Sequence, residues 1–223
     1  ISFVEENNVQ SSYAARNKAI IRSKGEVLAF TDADCTPAVN WLSQGCKKLI
    51  ETKASIVAGK IKFTFKDSKP NIWEYFDAAG KLNQKYYARN IGFGATANLF
   101  VKKLMFDKYG LFLSKLQSGG DYEFGRRLFN YNETIHYAED SVVFHPARST
   151  FREKLSKSKR VAEGQKSLSR MNLLEHGQLN WKQLIPLIHP PLMKNVSIRI
   201  TDKIILALIN NYFRYYNFIK RVY

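Results

Sequence analysis

Two carboxylates separated by one residue, Asp32 and Asp34, follow the short apolar run Val27-Leu-Ala-Phe30. In an extended segment, side chains at i and i+2 point the same way, so this pair can hold one hard divalent cation against a substrate diphosphate. Acidic pairs of this spacing are more often solvated turns. Position favours the ligand role, because an apolar strand delivers both acids to the sheet end where α/β folds bind ligands. Asp121, after Ser118-Gly-Gly120, has two readings: a helix cap, or a general base that takes the proton of an acceptor hydroxyl. Glu123 either partners the helix dipole or touches that acceptor. His145, at the end of a second apolar run and before Pro146, is a core histidine or else a third metal ligand or diphosphate contact. Arg16, in Ala14-Ala-Arg-Asn17, can present its planar fork to a nucleotide base or phosphate, with a helix-surface ion pair as the competing reading. Arg126 reads as solvated and Arg127 as a salt-bridge arm. His136, His176 and His189 have no supporting neighbours in the sequence.

The elements that position these residues follow from periodicity and punctuation. Val27–Phe30 suits a buried parallel strand. Thr36 as N-cap and Pro37 as first residue predict a helix to Glu51, with Val39, Leu42, Cys46 and Leu49 inward. Ser55–Ala58 and the alternating Ile61, Phe63 and Phe65 suggest two strands parted by Gly59, and Asn71–Tyr87 suggests a helix with Trp73, Phe76 and Leu82 inward. A bend at Gly92 leads into a strand ending at Val101, and Gly110 stops a helix over Lys103–Tyr109. Asp121–Asn130 reads as a helix, and Ile135–Tyr137 and Ser141–Phe144 as strands. Beyond Phe151 the chain turns to basic helices: Phe151–Met171, a linker around Pro186–Pro191, and Thr201–Tyr223. In the last, Ile205, Leu208, Ile209, Tyr212, Tyr216 and Ile219 share a face from which Arg214, Lys220 and Arg221 are excluded, a pattern suited to a membrane surface.

Composition limits the classes. With 45% hydrophobic residues in 223, the chain can fill a sizeable core, which excludes disordered and fibrous classes. The net charge of +16 is unevenly spread: residues 147–223 hold 15 of the 35 Lys and Arg but only 4 of the 19 acids. Cys35 and Cys46 are too few for a disulfide scaffold and read as reduced thiols. The aliphatic run Ile204–Ile209 is well short of the roughly 20 residues that span a bilayer.

In order along the chain, Ala15-Arg-Asn17, Gly25-Glu26, Phe30-Thr-Asp-Ala-Asp-Cys-Thr-Pro37, Trp41-Leu42, Ala97-Asn98, Ser118-Gly-Gly-Asp-Tyr-Glu-Phe-Gly-Arg-Arg-Leu128 and His145-Pro146 resemble a family 2 glycosyltransferase. The resemblance covers residues 1 to about 150, and Arg148–Arg160 resembles the basic stretch that often follows. It implies an α/β fold of GT-A type, a mixed sheet flanked by helices, followed by a basic helical appendage; the expected division is 1–150 catalytic and 151–223 helical. It further implies an inverting transferase with a nucleotide-sugar donor and a divalent cation, Mg2+ or Mn2+. Asp32 and Asp34 match the acidic metal motif, with Asp34 the more direct ligand. Asp121 matches the catalytic base, Arg16 a nucleotide-binding position, and His145 a metal or diphosphate ligand. One departure is local: the family's Glu before the base is Gly120 here. Another concerns the start, where relatives carry a nucleoside-binding βαβ unit of roughly 50 to 60 residues, so a fragment of a longer protein is expected.

The expected acceptor is a saccharide or a lipid-linked sugar in cell-envelope or extracellular polysaccharide or glycolipid synthesis. The expected place is cytoplasmic and peripheral, on an anionic inner membrane face. Two other classes compete: a basic nucleic-acid-binding protein, which the +16 charge allows but no motif supports, and a metal-dependent nucleotidyltransferase, which also uses paired acids.

Overall fold

The computed structural model describes residues 2–80, 82–193 and 198–223. The chain divides into two compact units, residues 1–62 with 83–145 and residues 63–82 with 146–223. In chain order the elements are α1 (Ser12–Arg22), β1 (Val27–Thr31), β2 (Thr36–Pro37), α2 (Trp41–Thr52), β3 (Ile56–Thr64), α3 (Ile72–Ala79), and α4 (Gln84–Tyr86) running into a π turn at Tyr87–Ile91. There follow β4 (Asn98–Lys102), α5 (Lys103–Tyr109), α6 (Gly120–Asn130), β5 (Ile135–Pro146), α7 (Phe151–Arg170), a 3-10 turn at Trp181–Leu184, and α8 (Ile200–Val222).

The sheet runs β1-β4-β3-β5-β2. β1 pairs antiparallel with β4, from Val27 opposite Lys102 to Thr31 opposite Asn98, and β4 pairs antiparallel with β3. The expectation of a buried parallel strand at Val27–Phe30 is corrected here: β1 lies at one end of the strand order and each of its residues is half-buried. Ser55–Ala58 and Ile61–Phe65 fall largely within one strand, β3, and the two short strands expected between Ile135 and Phe144 are one, β5. Asn98 helps knit these strands. Its Nδ2 donates to the carbonyls of Lys60 (2.8 Å) and Ser141 (3.0 Å), while its Oδ1 accepts from Trp41 Nε1 (2.8 Å).

α2 begins later than predicted. Thr36 and Pro37 pair with Phe144 and Val143 of β5 instead of capping a helix, and Ala38 N donates to Val142 O (3.0 Å). The start at Trp41 rotates the inward face to Trp41, Gly45 and Leu49, leaving Val39 and Leu42 exposed. A glycine is needed at 45, because a Cβ there would sit 2.1 Å from Cζ of Phe100. Trp41, Leu49, Val57, Phe100, Ala138 and Val143 form the core on that side of the sheet. A second aromatic group, Phe30, Phe106, Phe112 and Phe124, is packed ring to ring, with Phe106 and Phe124 stacked at 4.6 Å.

The second unit is helical. Capping boxes start two of its helices, Asn71 with Glu74 on α3 and Thr150 with Glu153 on α7. The helix expected over Asn71–Tyr87 ends at Ala79, and Lys81 lies outside the described residues. Tyr75, Phe76, Ala79, Leu206 and Phe213 form the core, joined at its margin by Trp73, Leu155 and Ile209. On α8, Leu206, Ile209 and Phe213 point inward, whereas Ile205, Leu208, Tyr212 and Ile219, of the apolar face read from the sequence, are exposed. Among the described residues no helix is long and apolar enough to cross a membrane.

Candidate active site

The end of β1 and the return through β2 build the site. After Thr31 the chain turns, with Cys35 N donating to Asp32 O (3.0 Å), and then pairs with β5. Because Thr36 lies opposite Phe144, continuing the antiparallel register carries Cys35 and Asp34 toward His145. One ligand atom from each of Asp32, Asp34, Cys35 and His145 lies within 4.8 Å of all the others. Two carboxylates and an imidazole form a donor set suited to a hard divalent ion. The Cys35 thiol is pushed up to about 11, first by burial and then by the charges of Asp34 and Asp32, so it stays protonated at neutral pH. His145 is buried and Asp34 exposed, so the cluster reaches from the interior to the surface.

A chain of contacts runs from this cluster to Asp121. Arg16, on α1, donates from Nη2 to Asp32 Oδ1 at 2.7 Å. Its guanidinium carbon lies 5.5 Å from the centre of the Tyr13 ring, one turn earlier on the same helix. The buried Tyr13 hydroxyl donates to Asp121 Oδ1 (3.2 Å). The same oxygen accepts the N–H of Tyr122 (2.9 Å), and Oδ2 accepts that of Thr96 (3.3 Å). Asp121 stands in the first turn of α6, whose N-cap is Gly119 with φ of 84°, and does not itself cap the helix. Burial of its carboxyl raises its pKa, against the lowering effect of the two N–H donors, Arg16 and Tyr13. Burial, followed by the charge of Asp121, likewise raises Tyr13.

Gly120 now has a physical reason. A Cβ at this position would lie 2.9 Å from three atoms of the Tyr13 ring. The aromatic ring occupies the space a side chain before the base would need.

The Thr96 N–H is held in place from α4. Gln84, buried, donates from Nε2 to the carbonyls of Ala95 (3.1 Å) and Asn98 (2.9 Å) and accepts the Ala95 N–H at Oε1 (2.8 Å). These bonds hold the 95–98 segment on both sides of Thr96. Glu123 lies outside this arrangement. It is buried, and its two oxygens accept from Arg127 Nε (2.8 Å) and Nη2 (2.9 Å), while Arg127 also donates to the carbonyls of Tyr109 and Leu111. The acceptor contact expected of Glu123 finds no support in this brace between α5 and α6. Arg126, half-buried rather than freely solvated, donates to Ile91 O (2.7 Å) and lies over Phe129.

Asp32, Asp34 and His145 thus come together, and Arg16 and Tyr13 link them to Asp121. Sequence reasoning missed Tyr13, Cys35 and Gln84. Tyr13 had one available signal, its place three residues before Arg16, which puts both on one helix face. Gln84 had none.

Residues 1–110 match the family model described as glycosyl transferase family 2. Over 160 residues the chain is 35% identical to glycosyltransferase AglE of Haloferax volcanii, covering 72% of this chain and 52% of that protein. The chain therefore spans about half the length of this curated relative. Among solved structures, the mannosyltransferase PcManGT of Pyrobaculum calidifontis, in complex with GDP-Man and Mn2+, aligns with 99% of this chain and 55% of its own at a TM-score of 0.54 and 14% identity. S. aureus TarS 1–349, in complex with UDP-GlcNAc, aligns with 81% of this chain and 52% of its own at 0.52 and 17%. The mixed sheet flanked by helices is the GT-A type of fold. Through residues 1–110, the chain belongs to glycosyl transferase family 2.

Proposed function

We propose that the protein is an inverting glycosyltransferase that moves a sugar from a nucleotide-sugar donor to a hydroxyl of a saccharide or lipid-linked acceptor. The observation that supports this most is the convergence of Asp32, Asp34 and His145 within 4.8 Å, in the same unit as the desolvated carboxylate of Asp121. In this reading Asp32, Asp34 and His145 hold a divalent cation, Mg2+ or Mn2+, which when bound supplies neutralising charge for the leaving diphosphate. Arg16 turns its fork of donors to the donor's phosphates or base.

Asp121 takes the proton of the acceptor hydroxyl as that oxygen attacks the anomeric carbon from the face opposite the diphosphate. The new C–O bond forms while the bond to the diphosphate breaks, and the configuration inverts. Desolvation makes the carboxylate a stronger base than a solvated one, and Tyr13, Thr96 and Tyr122 fix its orientation. In the full-length protein, Asp121→Asn should lower nucleoside diphosphate release by about two to four orders of magnitude with donor binding retained. Chelation should stop turnover, and added Mn2+ or Mg2+ should restore it. Unchanged turnover in the Asn variant would remove Asp121 from the mechanism.

The acceptor is proposed to lie at the cytoplasmic face of the cell membrane, in envelope polysaccharide or glycolipid synthesis. In the second unit, Trp181, Ile188, Leu208 and Ile219 are exposed, and residues 147–223 carry a large excess of Lys and Arg. Exposed apolar side chains beside basic ones suit an anionic lipid surface. Because Leu206 and Phe213 are core residues, deleting α8 would unfold the unit, so Leu208→Glu with Ile219→Glu is the appropriate variant. Co-sedimentation with phosphatidylglycerol liposomes should fall in that variant; undiminished binding rejects α8 as the contact.

A further inference from the structure

One carboxylate in the second unit is surrounded by three cations. The Asp77 side chain, on α3, is fully buried. Its Oδ2 accepts from Arg148 N (3.2 Å) and Arg148 Nη1 (3.1 Å), and its Oδ1 from Lys154 Nζ (2.8 Å) and Lys157 Nζ (3.4 Å). Among the described residues no second carboxylate pairs with these cations. The nearby C-terminal end of α3 offers the equivalent of roughly half a negative charge. More than one positive charge is left unbalanced around a carboxylate that water does not reach.

A staple between α3 and α7 would need only one of these cations. Lys154 and Lys157 are one turn apart on α7, so their ammonium groups reach the same spot, and Arg148 adds a planar fork from the segment before the helix. The three side chains remain 22%, 13% and 22% exposed, so the cluster opens to solvent. Donors remain after Asp77 is satisfied: two hydrogens on each ammonium and the rest of the guanidinium. Gly80 ends α3 beside Lys154; a Cβ there would lie 4.0 Å from Lys154 Nζ. The Lys157 ammonium is held down to about 8, chiefly by burial and then, against the pull of Asp77, by the charges of Arg148 and Lys154. An incoming anion would relieve this repulsion. A single carboxylate carries too little charge to balance the cluster, whereas a phosphomonoester or diphosphate carries enough and matches the fork.

We infer that Arg148, Lys154 and Lys157 form a second anion site, outside the Asp32–Asp121 arrangement, that takes a phosphoryl group. The group is either a soluble diphosphate or a phosphorylated lipid headgroup.

The test uses the full 223-residue chain with divalent cations removed, so that the Asp32 and Asp34 cluster does not hold the probe through a metal. Inorganic pyrophosphate is titrated while the melting temperature is followed, and vesicles of phosphatidylcholine with and without phosphatidic acid are tested by flotation. Lys157→Met is the main variant, because Arg148 and Lys154 still satisfy Asp77. Lys154→Met is a second, should the first fold poorly, and Arg16→Gln controls for phosphate binding in the first unit. A pyrophosphate affinity about tenfold or more weaker in Lys157→Met, a larger loss than in Arg16→Gln, is the expected result for a soluble ligand. Lys157-dependent flotation with phosphatidic acid, without a pyrophosphate effect, assigns the site to a lipid headgroup. If neither probe loses binding in Lys157→Met and Lys154→Met, the cluster is only a helix staple and the inference is overturned.

Discussion

Gly120→Ala tests whether Tyr13 sets the geometry of the base. The added Cβ would meet the ring at 2.9 Å, while ordinary contacts lie near 3.4 to 4 Å, so the ring must retreat by about 0.5 to 1 Å. Overpacking of this size costs about 1–3 kcal/mol. Removing a glycine from the first turn of α6 returns at most about 1 kcal/mol. The net loss is about 1–2 kcal/mol, and the melting temperature should fall by about 2–8 °C. The retreat also pulls the Tyr13 hydroxyl away from Asp121, now at 3.2 Å. The decisive assay is a double-mutant cycle on thermal stability with Tyr13→Leu, which vacates the ring's space. In that background Gly120→Ala should cost nothing or stabilise, giving a coupling of at least about 1 kcal/mol. Additivity within about 0.5 kcal/mol would refute the steric argument, and with it the explanation for a glycine before the base.

Gln84→Leu removes the three bonds that hold residues 95–98, so the Thr96 N–H should drift from Asp121; the full-length enzyme should lose kcat more than it gains KM, and Gln84→Glu should not rescue it because the two carbonyls then lose their donor. Asp77→Asn removes the buried carboxylate that compensates three half-buried cations and should destabilise the chain by about 2–3 kcal/mol in chemical denaturation, less than for a fully buried pair because solvent reaches the cations. In the parent chain the Asp77 pKa lies well below the ordinary carboxylate range, so its contribution is fully present above about pH 4 and is lost as pH falls through the folded value; the Asn variant should lack this acid limb. Lys157 acts in the opposite window: its folded value of about 8 lies below that of an unfolded lysine, so stability should rise between about pH 8 and 10.5, and Lys157→Met should flatten that rise. Alkylation of Cys35 should quicken by about tenfold per pH unit from 7 to 10, read by mass spectrometry, and a plateau below pH 9 would contradict its shielded, acid-flanked environment.

The parts of the fold legible in the sequence were those with local punctuation. Gly110 ends α5 at the residue expected, and α6 and α7 lie within a residue of their predicted spans. Where tertiary pairing competes with local preference, the local reading failed. Thr36-Pro37 has the chemistry of a helix start, but the exposed edge of β5 takes both residues as a strand. Gly59 looks like a break, but Asn98, bonded to Lys60 and Ser141, holds the chain extended through it. In α8 two apolar faces overlap, and periodicity alone does not reveal which one the aromatic core will take. The acidic pair was legible because its strand announces it. Gln84 was not, since its partners lie across a loop; for Tyr13 the spacing from Arg16 marks a shared helix face, but its partner Asp121 lies 108 residues away and leaves no trace.

β1 has consequences for handling the molecule. Among the described residues it has a strand neighbour on one side only, and its five residues, Val27 to Thr31, include no charge and no proline. Beside it opens a cavity of about 650 Å3 lined in part by Val27, Leu49, Ile50 and Leu104. Backbone donors and acceptors on such an edge are met by water or by another strand, and an uncharged edge does not repel the strand. Produced alone, the 223-residue chain should therefore self-associate through this edge as its concentration rises, with a sedimentation coefficient that climbs.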